Sequence, residues 1–322
     1  MSKTPSSPAT LRTAGVAAGR RYRGRFAPSP TGPLHFGSLV AAVGSYLDAK
    51  SQDGDWLLRM EDLDRPRTVP GAADDILRTL EALGLHWDGE VLHQSTRDAA
   101  YGAALARLQE TGCVYPCACT RREIADSAMS GIDGPVYPGT CRNGPAHGRA
   151  ARAIRVRTDS TAPGGNRIRF EDAIQGGITQ DLEHQVGDFV LKRADGLFAY
   201  QLAVVVDDAE QGITHVMRGA DLLDSTPRQI HLQRLLGYPV PAYAHLPVAV
   251  NAQGEKLSKQ TFAAAVRTDQ AMPLLNTILR WLGQEPIDNS DPRDFEAFWQ
   301  VAIAGWRRER VPRLRQKTAA AD

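Results

Sequence analysis

The sequence predicts an α/β fold with a Rossmann-like parallel sheet, an insertion and a short helical C-terminal region. Three observations support this fold class. Strand and helix patterns alternate over residues 22–112, which is typical of parallel sheets. Residues 113–148 are rich in Gly, Pro and Cys and break this alternation, as an insertion would. Beyond residue 262 the apolar residues recur only at helical spacing.

The elements of the first half are predicted from apolar spacing and from residues that end regular structure. Three prolines between residues 28 and 33 cannot continue a strand, so the first strand must end before them. Ser95, with Asp98 three residues later, has the pattern of a helix N-terminus. In chain order the predicted elements are a strand at 22–27, a helix from about residue 37, a strand at 56–60, a helix ending at Gly84 and a helix from Ser95 to Gly112.

The second half is predicted in the same way. Residues 194–196 (Ala-Asp-Gly) lie between two apolar runs and indicate a hairpin. Pro227 is placed to open a helix and Gly237 to end it. The predicted elements are strands at 153–157, 167–170, 189–193, from Leu197 onward, 213–218 and 246–250, and helices at 227–237, 273–282 and 292–303.

The composition excludes some classes of protein. The 322 residues carry 38 Lys and Arg against 37 Asp and Glu, and the net charge of +1 argues against a wholly basic nucleic-acid coat. No apolar run approaches the ~20 residues of a membrane helix, so we expect no membrane span. No acidic residue precedes Asp48, which would suit an organelle transit peptide. A disordered N-terminal extension is the preferred interpretation.

The four cysteines lie close together in the sequence, at Cys113, Cys117, Cys119 and Cys141. Disulfide scaffolds are small and rich in cysteine, so a metal site in a reducing cytoplasm is the favoured interpretation, with unliganded buried thiols as the alternative. A structural zinc ion takes four ligands. From the residues alone, Cys113 and His147 are both candidates to complete a set with the others.

Two segments have the chemistry of a polyphosphate site. Residues 28–39 place a rigid loop before a helix N-terminus, which attracts anions through its free amide groups. Within it, Gly37 permits close approach of a ligand, and His35 could donate a hydrogen bond to a phosphate. Residues 256–260 (Lys-Leu-Ser-Lys-Gln) form a charged loop that could stabilise a leaving pyrophosphate.

In this order the two segments resemble the paired ATP-binding motifs of class I aminoacyl-tRNA synthetases. Residues 35–38 (HFGS) stand where the HIGH motif would be, and residues 256–260 (KLSKQ) stand in place of KMSKS. Residues 25–32, 59–64 and 212–221 are similar to catalytic-domain motifs of glutamyl-tRNA synthetases. The chain departs from the pattern at Ser38, which replaces the second histidine, and at Leu257 and Gln260.

The resemblance implies a set of site residues and a domain organisation. It implies His35 and Lys259 as catalytic residues; His35, Gly37, Ser38, Lys256, Ser258 and Lys259 in ATP binding; and Arg25, Ala27, Ser29, Glu61, Tyr200 and Arg218 in glutamate binding. The predicted domains are an extension at 1–21, catalytic halves at 22–112 and 196–262, a zinc-bearing insertion at 113–195 and a C-terminal region at 263–322.

The cysteine region carries a second resemblance. Residues 137–141 (Tyr-Pro-Gly-Thr-Cys) are similar to the zinc motif of glutamyl-Q tRNA(Asp) synthetases, in which a tyrosine oxygen completes the site. This resemblance implies one structural zinc ion on Cys117, Cys119, Tyr137 and Cys141. It also implies a monomer that needs no tRNA to activate L-glutamate with ATP and Mg²⁺, and then transfers glutamate to queuosine in the anticodon loop of tRNA(Asp).

Three alternative functions remain open at this point. The chain could be a short glutamyl-tRNA synthetase that charges a tRNA 3′ end, an inactive paralogue that binds tRNA, or another nucleotidyl transferase. The first is disfavoured because residues 263–322 are too few for large anticodon-reading domains. The basic stretch in this region could contact RNA phosphate or be a frayed terminus; its residues are Arg307, Arg308, Arg310, Arg313, Arg315 and Lys317.

Overall fold

The computed structural model of this protein describes residues 21–127, 129–132, 134–161, 165–251, 253–256, 270–288, 291 and 293–318. Residues 1–20 of the predicted extension lie outside the described residues, and so do residues 257–260 of the predicted Lys-Leu-Ser-Lys-Gln loop. In the parts of the chain that are described, no helix has the length and apolar character needed to cross a bilayer.

Strands and helices alternate through most of the described chain. The strands are β1 (Arg23–Phe26), β2 (Asp55–Met60), β3 (Leu92–His93), β4 (Val114–Cys117), β5 (Ser130–Gly131), β6 (Gly134–Pro135), β7 (Ala153–Val156), β8 (Arg167–Asp172), β9 (Gly176–Asp181), β10 (Val190–Lys192), β11 (His215–Gly219), β12 (Ala242–Leu246), β13 (Val248–Val250) and β14 (Gln316–Thr318). The helices are α1 (Phe36–Lys50), α2 (Ala72–Ala82), α3 (Asp98–Glu110), α4 (Arg121–Ser127), α5 (Leu182–Gln185), α6 (Tyr200–Glu210), α7 (Thr226–Leu236), α8 (Ala271–Trp281) and α9 (Phe295–Gly305).

The central sheet is parallel at its centre. β2 lies between β1 and β3, and β12 lies between β11 and β8, all in parallel pairs. The two groups of strands meet where the Thr214 amide donates to the Arg23 carbonyl (2.9 Å) and the Arg23 amide donates to the Thr214 hydroxyl (2.8 Å). β9 pairs antiparallel with β8 at the outer edge. The carboxyl ends of β1, β2 and β11 therefore point toward one edge, where ligands bind in open α/β sheets.

Two packing clusters hold the layers together. In one, α1 and α2 pack with β1, β2 and the C-terminal helices α8 and α9. The other packs α3, α6 and α7 against β4, β7 and β10, which form an antiparallel sheet in the order β10-β7-β4. The α/β class is confirmed. Residues 167–181, placed in the insertion by the predicted boundaries, contribute β8 and β9 to the central sheet, while the boundaries themselves stay predictions.

One predicted strand is wrong. The apolar run that follows Leu197 is part of helix α6, and the predicted hairpin is reduced to a single bridge between Lys192 and Phe198. Residues 202–206 are all buried, with three consecutive valines among them. A helix buried on every side has no amphipathic period, so β-branched content alone favours a strand at this position.

Two further predictions differ from the structure in detail. Ser95 is not the N-cap of α3, because its amide and hydroxyl both donate to the Asp62 carboxylate (2.8 and 2.7 Å) and the helix begins at Asp98. The strand predicted at 246–250 is divided between β12 and β13 by Pro247, which has no amide hydrogen to donate to a sheet.

The basic C-terminal stretch makes contacts within the protein. β14 pairs in parallel with β13, so a frayed terminus does not describe residues 316–318. The Lys317 ammonium donates to the Trp281 carbonyl (2.5 Å) and lies over the same indole ring. Arg315 pairs with Asp224. These contacts join the end of the described chain to the strand that leads toward Lys256.

A buried carboxylate attaches the same region to the first core cluster. Asp48, which is 2% exposed, accepts hydrogen bonds from the Tyr22 hydroxyl (2.6 Å), the Trp306 indole (3.0 Å) and the Arg308 guanidinium (2.8 Å). A donor from just before β1 and two from beyond α9 thus share one acceptor on α1. Hydrogen bonds to a charged acceptor contribute about 1.5–3 kcal/mol each, more than neutral ones.

We predict that Trp306→Phe lowers the free energy of unfolding by about 1 kcal/mol more than Trp299→Phe. Both indoles are buried, but the Trp299 indole donates to the neutral Leu83 carbonyl (2.9 Å) and not to a carboxylate. Urea unfolding of both variants measures the difference. Equal losses would mean that the bond to Asp48 adds nothing beyond a neutral hydrogen bond.

Candidate active site

A cleft of about 800 Å³ opens at the carboxyl edge of the central sheet. The ends of β1, β2 and β11, the N-terminus of α1 and the start of α6 all contribute to its walls. Every described residue of the predicted ATP and glutamate sites lines it: Arg25, Ala27, Ser29, His35, Gly37, Ser38, Glu61, Tyr200, Arg218 and Lys256. The fold therefore brings together residues that are as far apart in sequence as Arg25 and Lys256.

The hydrogen bonds at the start of α1 explain why serine stands where the second histidine of the motif would be. The Ser38 amide donates to His35 Nδ1 (3.2 Å), and the His35 amide donates to the Ser38 hydroxyl (2.8 Å). This reciprocal pair is a capping box, which satisfies two amides at the helix N-terminus. Because Nδ1 accepts, the proton of the neutral imidazole lies on Nε2, which is left as a donor.

Lys256 reaches the cleft from the opposite wall. Its ammonium pairs with the Asp221 carboxylate at 2.5 Å, and Asp221 also lines the cleft just after β11. The other predicted members of this loop, Ser258 and Lys259, lie outside the described residues. A lysine and a helix N-terminus thus both contribute positive potential to the same cleft.

Buried charged side chains form the floor of the cleft on its other side. Arg25 Nε donates to Asp208 Oδ1 (3.1 Å), and Arg59 Nη1 lies 2.8 Å from the same oxygen. Arg59 Nη2 also contacts Glu61 Oε1 at 3.4 Å. Two guanidinium groups, one from β1 and one from β2, therefore share Asp208, which comes from the last turn of α6. Its position sets the direction of both arginines.

The neighbouring charges explain the protonation states in this network. Burial alone would raise the pKa of Asp208, but Arg25 and Arg59 hold it below its ordinary value. Burial raises the pKa of Glu61, although Arg59 and Arg25 oppose that shift. Burial and the nearby Glu61 also raise the pKa of Tyr200, so its phenol stays protonated and can donate a hydrogen bond.

Arg218 has a different environment from Arg25. Its guanidinium donates to the His245 imidazole (3.1 Å), the Thr226 hydroxyl (2.9 Å) and the Gln229 side-chain oxygen (2.9 Å), all of which are uncharged. Arg218 Nη1 is buried and has no hydrogen-bond partner among the described residues. Arg25 and Arg59 thus contact the carboxylates of Asp208 and Glu61 directly, whereas the side-chain partners of Arg218 carry no charge.

Several residues of the site were not assigned a role from the sequence. Asp208 lies at the end of the apolar run that was predicted as a strand, and His245 lies in β12, which was predicted only from its last residue onward. Arg59 falls within a motif that carried the resemblance, but it had no assigned function. A charged residue directly after a strand or inside an apolar run is the signal that could have pointed to them.

The cysteine region forms a second site, in a small packing cluster of its own. The sulfur atoms of Cys117, Cys119 and Cys141 lie within 4.8 Å of one another and could hold a metal ion. The Tyr137 hydroxyl lies 3.4 Å from Cys117 Sγ and 3.5 Å from Cys119 Sγ.

Neither fourth ligand considered from the residues alone belongs to this group. Among the described residues the group of metal-ligating side chains contains Cys117, Cys119 and Cys141, without Cys113 or His147. Cys113 instead packs in the cluster of α3 and α6, and His147 is exposed.

A cation lies beside the thiols. Arg155 Nε donates to Cys117 Sγ at 3.4 Å, and its guanidinium stacks 4.1 Å from the Tyr137 ring. Burial opposes ionisation of Cys141, but hydrogen bonds from Tyr137 and the Ala118 backbone lower its pKa below the ordinary value. Thiolates are the form of cysteine that binds metal ions. The donor set therefore suits a soft or borderline metal ion.

Comparison with known proteins agrees with this architecture. The family model described as tRNA synthetases class I (E and Q), catalytic domain, matches residues 21–281. The fold and the cleft are therefore those of a class I synthetase catalytic domain. The chain is 62% identical over 297 residues to the glutamyl-Q tRNA(Asp) synthetase of Dechloromonas aromatica (strain RCB), covering 91% of this chain and 96% of that relative. It belongs to the family of glutamyl-Q tRNA(Asp) synthetases.

Other relatives and solved structures extend the comparison. The glutamyl-Q tRNA(Asp) synthetase of Chromobacterium violaceum is 58% identical over 291 residues, with 90% of this chain and 95% of the relative covered. A glutamate tRNA ligase from Elizabethkingia meningosepticum, solved in complex with its amino acid, is 26% identical with a TM-score of 0.75. That comparison covers 94% of this chain and 68% of the other.

We predict that Asp208→Asn lowers the free energy of unfolding by about 3–5 kcal/mol at pH 7, because it leaves two buried guanidinium groups without their shared carboxylate. The folded-state pKa of Asp208 is lowered, so its contribution is present above the ordinary carboxyl pKa of 3.8 and is lost as the pH falls through the folded value. The difference between wild type and variant should therefore shrink in acid. Urea titrations across this pH range measure it.

Asp207→Asn is the matched control for this prediction. Asp207 is equally buried and adjacent, but its hydrogen bonds come from Gln94, Tyr101 and the partly exposed Arg97. The loss should therefore be smaller than for Asp208→Asn. If the two losses were equal, the shared guanidinium pair would not be what makes Asp208 important.

Proposed function

We propose that this chain activates L-glutamate with ATP, without tRNA, and transfers it to queuosine at the wobble position of tRNA(Asp). One observation supports the proposal above all. The same cleft contains the N-terminus of α1 and two arginines whose partners differ in charge. Arg25 is already paired with Asp208, whereas Arg218 has only uncharged partners. A guanidinium with no carboxylate among its direct partners complements a carboxylate of glutamate.

Each side chain has a role that suits the substrate. Arg25 and Arg218 bind the two carboxylates of glutamate, since guanidinium groups bind carboxylates through paired hydrogen bonds. Glu61, with Ser29 beside it in the cleft, accepts the ammonium group. A bound ammonium would also lower the raised pKa of Glu61. Tyr200 donates from its protonated phenol, and Ala27 leaves room for the ligand backbone.

ATP binds on the side of the cleft formed by α1. The helix N-terminus and His35 Nε2 face the phosphates, with Gly37 allowing close approach and Ser38 fixing the imidazole. Lys256, Ser258 and Lys259 stabilise the leaving pyrophosphate from the opposite loop. Mg²⁺ accompanies the ATP phosphates, as the synthetase class implies. The α-carboxylate attacks the α-phosphate in line, which forms glutamyl-adenylate and releases pyrophosphate.

A hydroxyl of the queuosine ring then attacks the acyl carbon of glutamyl-adenylate. An ester bond forms, the bond from the acyl carbon to the phosphate oxygen breaks, and AMP leaves with release of the hydroxyl proton. We propose that the open cleft receives the anticodon loop of tRNA(Asp) itself, since proteins read single-stranded loops by accepting unstacked bases. In this proposal the protein acts as a monomer in the cytoplasm, where a reducing environment keeps the clustered thiols available for a metal ion.

The cysteine site completes the proposal. Cys117, Cys119, Tyr137 and Cys141 would hold one zinc ion, and Arg155 donates a hydrogen bond to Cys117 Sγ from beside the site. The ion has a structural role, because the cluster around it is small and lies apart from the cleft-lining residues. When bound, zinc supplies folding free energy to this part of the insertion.

We predict glutamate-dependent exchange of pyrophosphate into ATP in the absence of tRNA, because every group proposed to bind glutamate and ATP belongs to the protein and none to an RNA. Transfer of labelled glutamate should then require tRNA(Asp) that carries queuosine and should not occur with tRNA lacking it. The matched variant Arg218→Lys keeps the charge but loses the paired geometry, and should raise the KM for glutamate by roughly 10-fold or more.

The position of the label decides between the proposed function and its alternatives. Glutamate recovered on the modified base in the anticodon supports the proposal. Glutamate on the 3′-terminal adenosine would instead identify a short glutamyl-tRNA synthetase. Absence of exchange with glutamate, ATP and Mg²⁺ would contradict tRNA-independent activation and would favour an RNA-binding paralogue.

We predict that Cys117→Ser removes bound zinc and makes residues 113–157 more sensitive to limited proteolysis, because the ion would lose one of four ligands. Cys113→Ser is the matched control, since Cys113 is buried but lies outside the thiol group. Zinc content by elemental analysis should be about one ion per chain for wild type and the control. Equal zinc content in Cys117→Ser would overturn the assignment.

A further inference from the structure

A series of hydrogen-bonded, buried side chains holds Arg218 in place, and no sequence motif gave these side chains a role. His245 Nε2 accepts from Arg218 Nε at 3.1 Å, and His245 Nδ1 lies 2.6 Å from Asp172 Oδ2. The side chains of His245 and Asp172 are both fully buried. This series of hydrogen-bonded side chains therefore runs from the last residue of β8, through β12, to the arginine near the end of β11. These three strands are neighbours in the central sheet.

The hydrogen bonds of Asp172 fix the protonation of the histidine. Asp172 Oδ1 accepts three backbone amides, from Ile174 (3.0 Å), Gln175 (2.8 Å) and His245 (3.1 Å). Oδ2 remains to accept the proton of His245 Nδ1. The opposite nitrogen of the neutral ring must then be an acceptor, and it faces Arg218 Nε–H.

The ring is neutral in this setting. Burial lowers the pKa of His245 to about 4, and the positive charge of Arg218 acts in the same direction, against the opposing effect of Asp172. A neutral acceptor orients Arg218 without neutralising it. A carboxylate in the same place would orient the arginine too, but it would cancel the charge that a substrate carboxylate needs.

We propose that Asp172 and His245 are positioning residues for Arg218, and that they set the preference of the site for an acidic over an amide substrate. The Nδ1–H tautomer fixes the direction of the guanidinium, and the absence of charge on the ring leaves its positive charge for the ligand. This inference rests on the proposed function, in which Arg218 binds a carboxylate of glutamate.

Asp172→Asn tests the tautomer directly. Oδ1 must stay an oxygen because three amides donate to it, so the new NH₂ group takes the place of Oδ2 and donates to His245 Nδ1. The ring proton then moves to Nε2 and opposes Arg218 Nε–H, donor against donor. A comparable exchange of aspartate for asparagine behind a histidine inverts the tautomer in serine proteases.

We expect the KM for glutamate in pyrophosphate exchange to rise roughly 10- to 100-fold in Asp172→Asn, the effect of opposing two buried donors. The KM for ATP should change by less than about twofold, since neither Asp172 nor His245 lines the cleft in which ATP is proposed to bind. The ratio of activity with glutamate to activity with glutamine should fall. His245→Gln, which keeps a donor and an acceptor, should preserve glutamate binding far better than His245→Leu.

Nitrogen NMR of protein labelled at its 8 histidines gives a readout independent of activity. The His245 signal, identified by its loss in His245→Gln, should change from the Nδ1–H to the Nε2–H tautomer in Asp172→Asn. Asp188→Asn is the matched control for stability. Asp188 is equally buried and accepts from Tyr115, Arg142 and Thr158, away from Arg218.

The outcomes distinguish failure of the proposed function from failure of the positioning role of Asp172 and His245. If wild type shows no glutamate-dependent exchange, the proposed function fails, whatever the variants do. If wild type is active but folded Asp172→Asn and His245→Leu keep the wild-type KM for glutamate, the positioning role is wrong. It is also wrong if Asp188→Asn raises that KM to the same extent, since the effect would then be general destabilisation.

Discussion

The geometry of the cleft depends on one buried carboxylate shared by two guanidinium groups. Asp208 comes from α6, whereas Arg25 and Arg59 come from β1 and β2. Removing one partner of a buried ion pair leaves a buried charge without compensation, at a cost of about 3–5 kcal/mol, so the placement of each of these three side chains depends on the other two. The requirement ties the helix that begins with Tyr200 to the strands that carry Arg25 and lead to Glu61.

The two arginines of the cleft illustrate two ways of orienting a cation. At Arg25, a carboxylate both directs and neutralises the guanidinium, so that end of the site is close to electrically balanced. At Arg218, neutral acceptors give the direction and leave the charge. In the proposed function, a substrate with two carboxylates and one ammonium would therefore meet an asymmetric site, although both of its carboxylates would face guanidinium groups.

The spacing of apolar residues, together with the glycines and prolines that end regular structure, was enough to predict most of the sheet and its helices. The motifs identified residues that line one cleft. The failures have physical causes. Helix α6 is buried on all sides, so its sequence has no polar face to reveal a helical period. His245 and Asp208 act only through partners distant in sequence, and Ser95 pairs with Asp62. Spacing alone also left the fourth ligand beside the cysteines open, whereas the fold brings the Tyr137 hydroxyl to the thiols.

The contacts of Asp48 bear on the order in which the molecule can be completed during synthesis on the ribosome. Two of its three donors, on Trp306 and Arg308, lie 258 and 260 residues further along the chain. Until they emerge, α1 carries a carboxylate that lacks most of its final hydrogen bonds, in a core that also lacks α8 and α9. Contacts of such long range form late and slowly. The core around α1 is thus completed only after residues 258 and 260 positions further along the chain have been made.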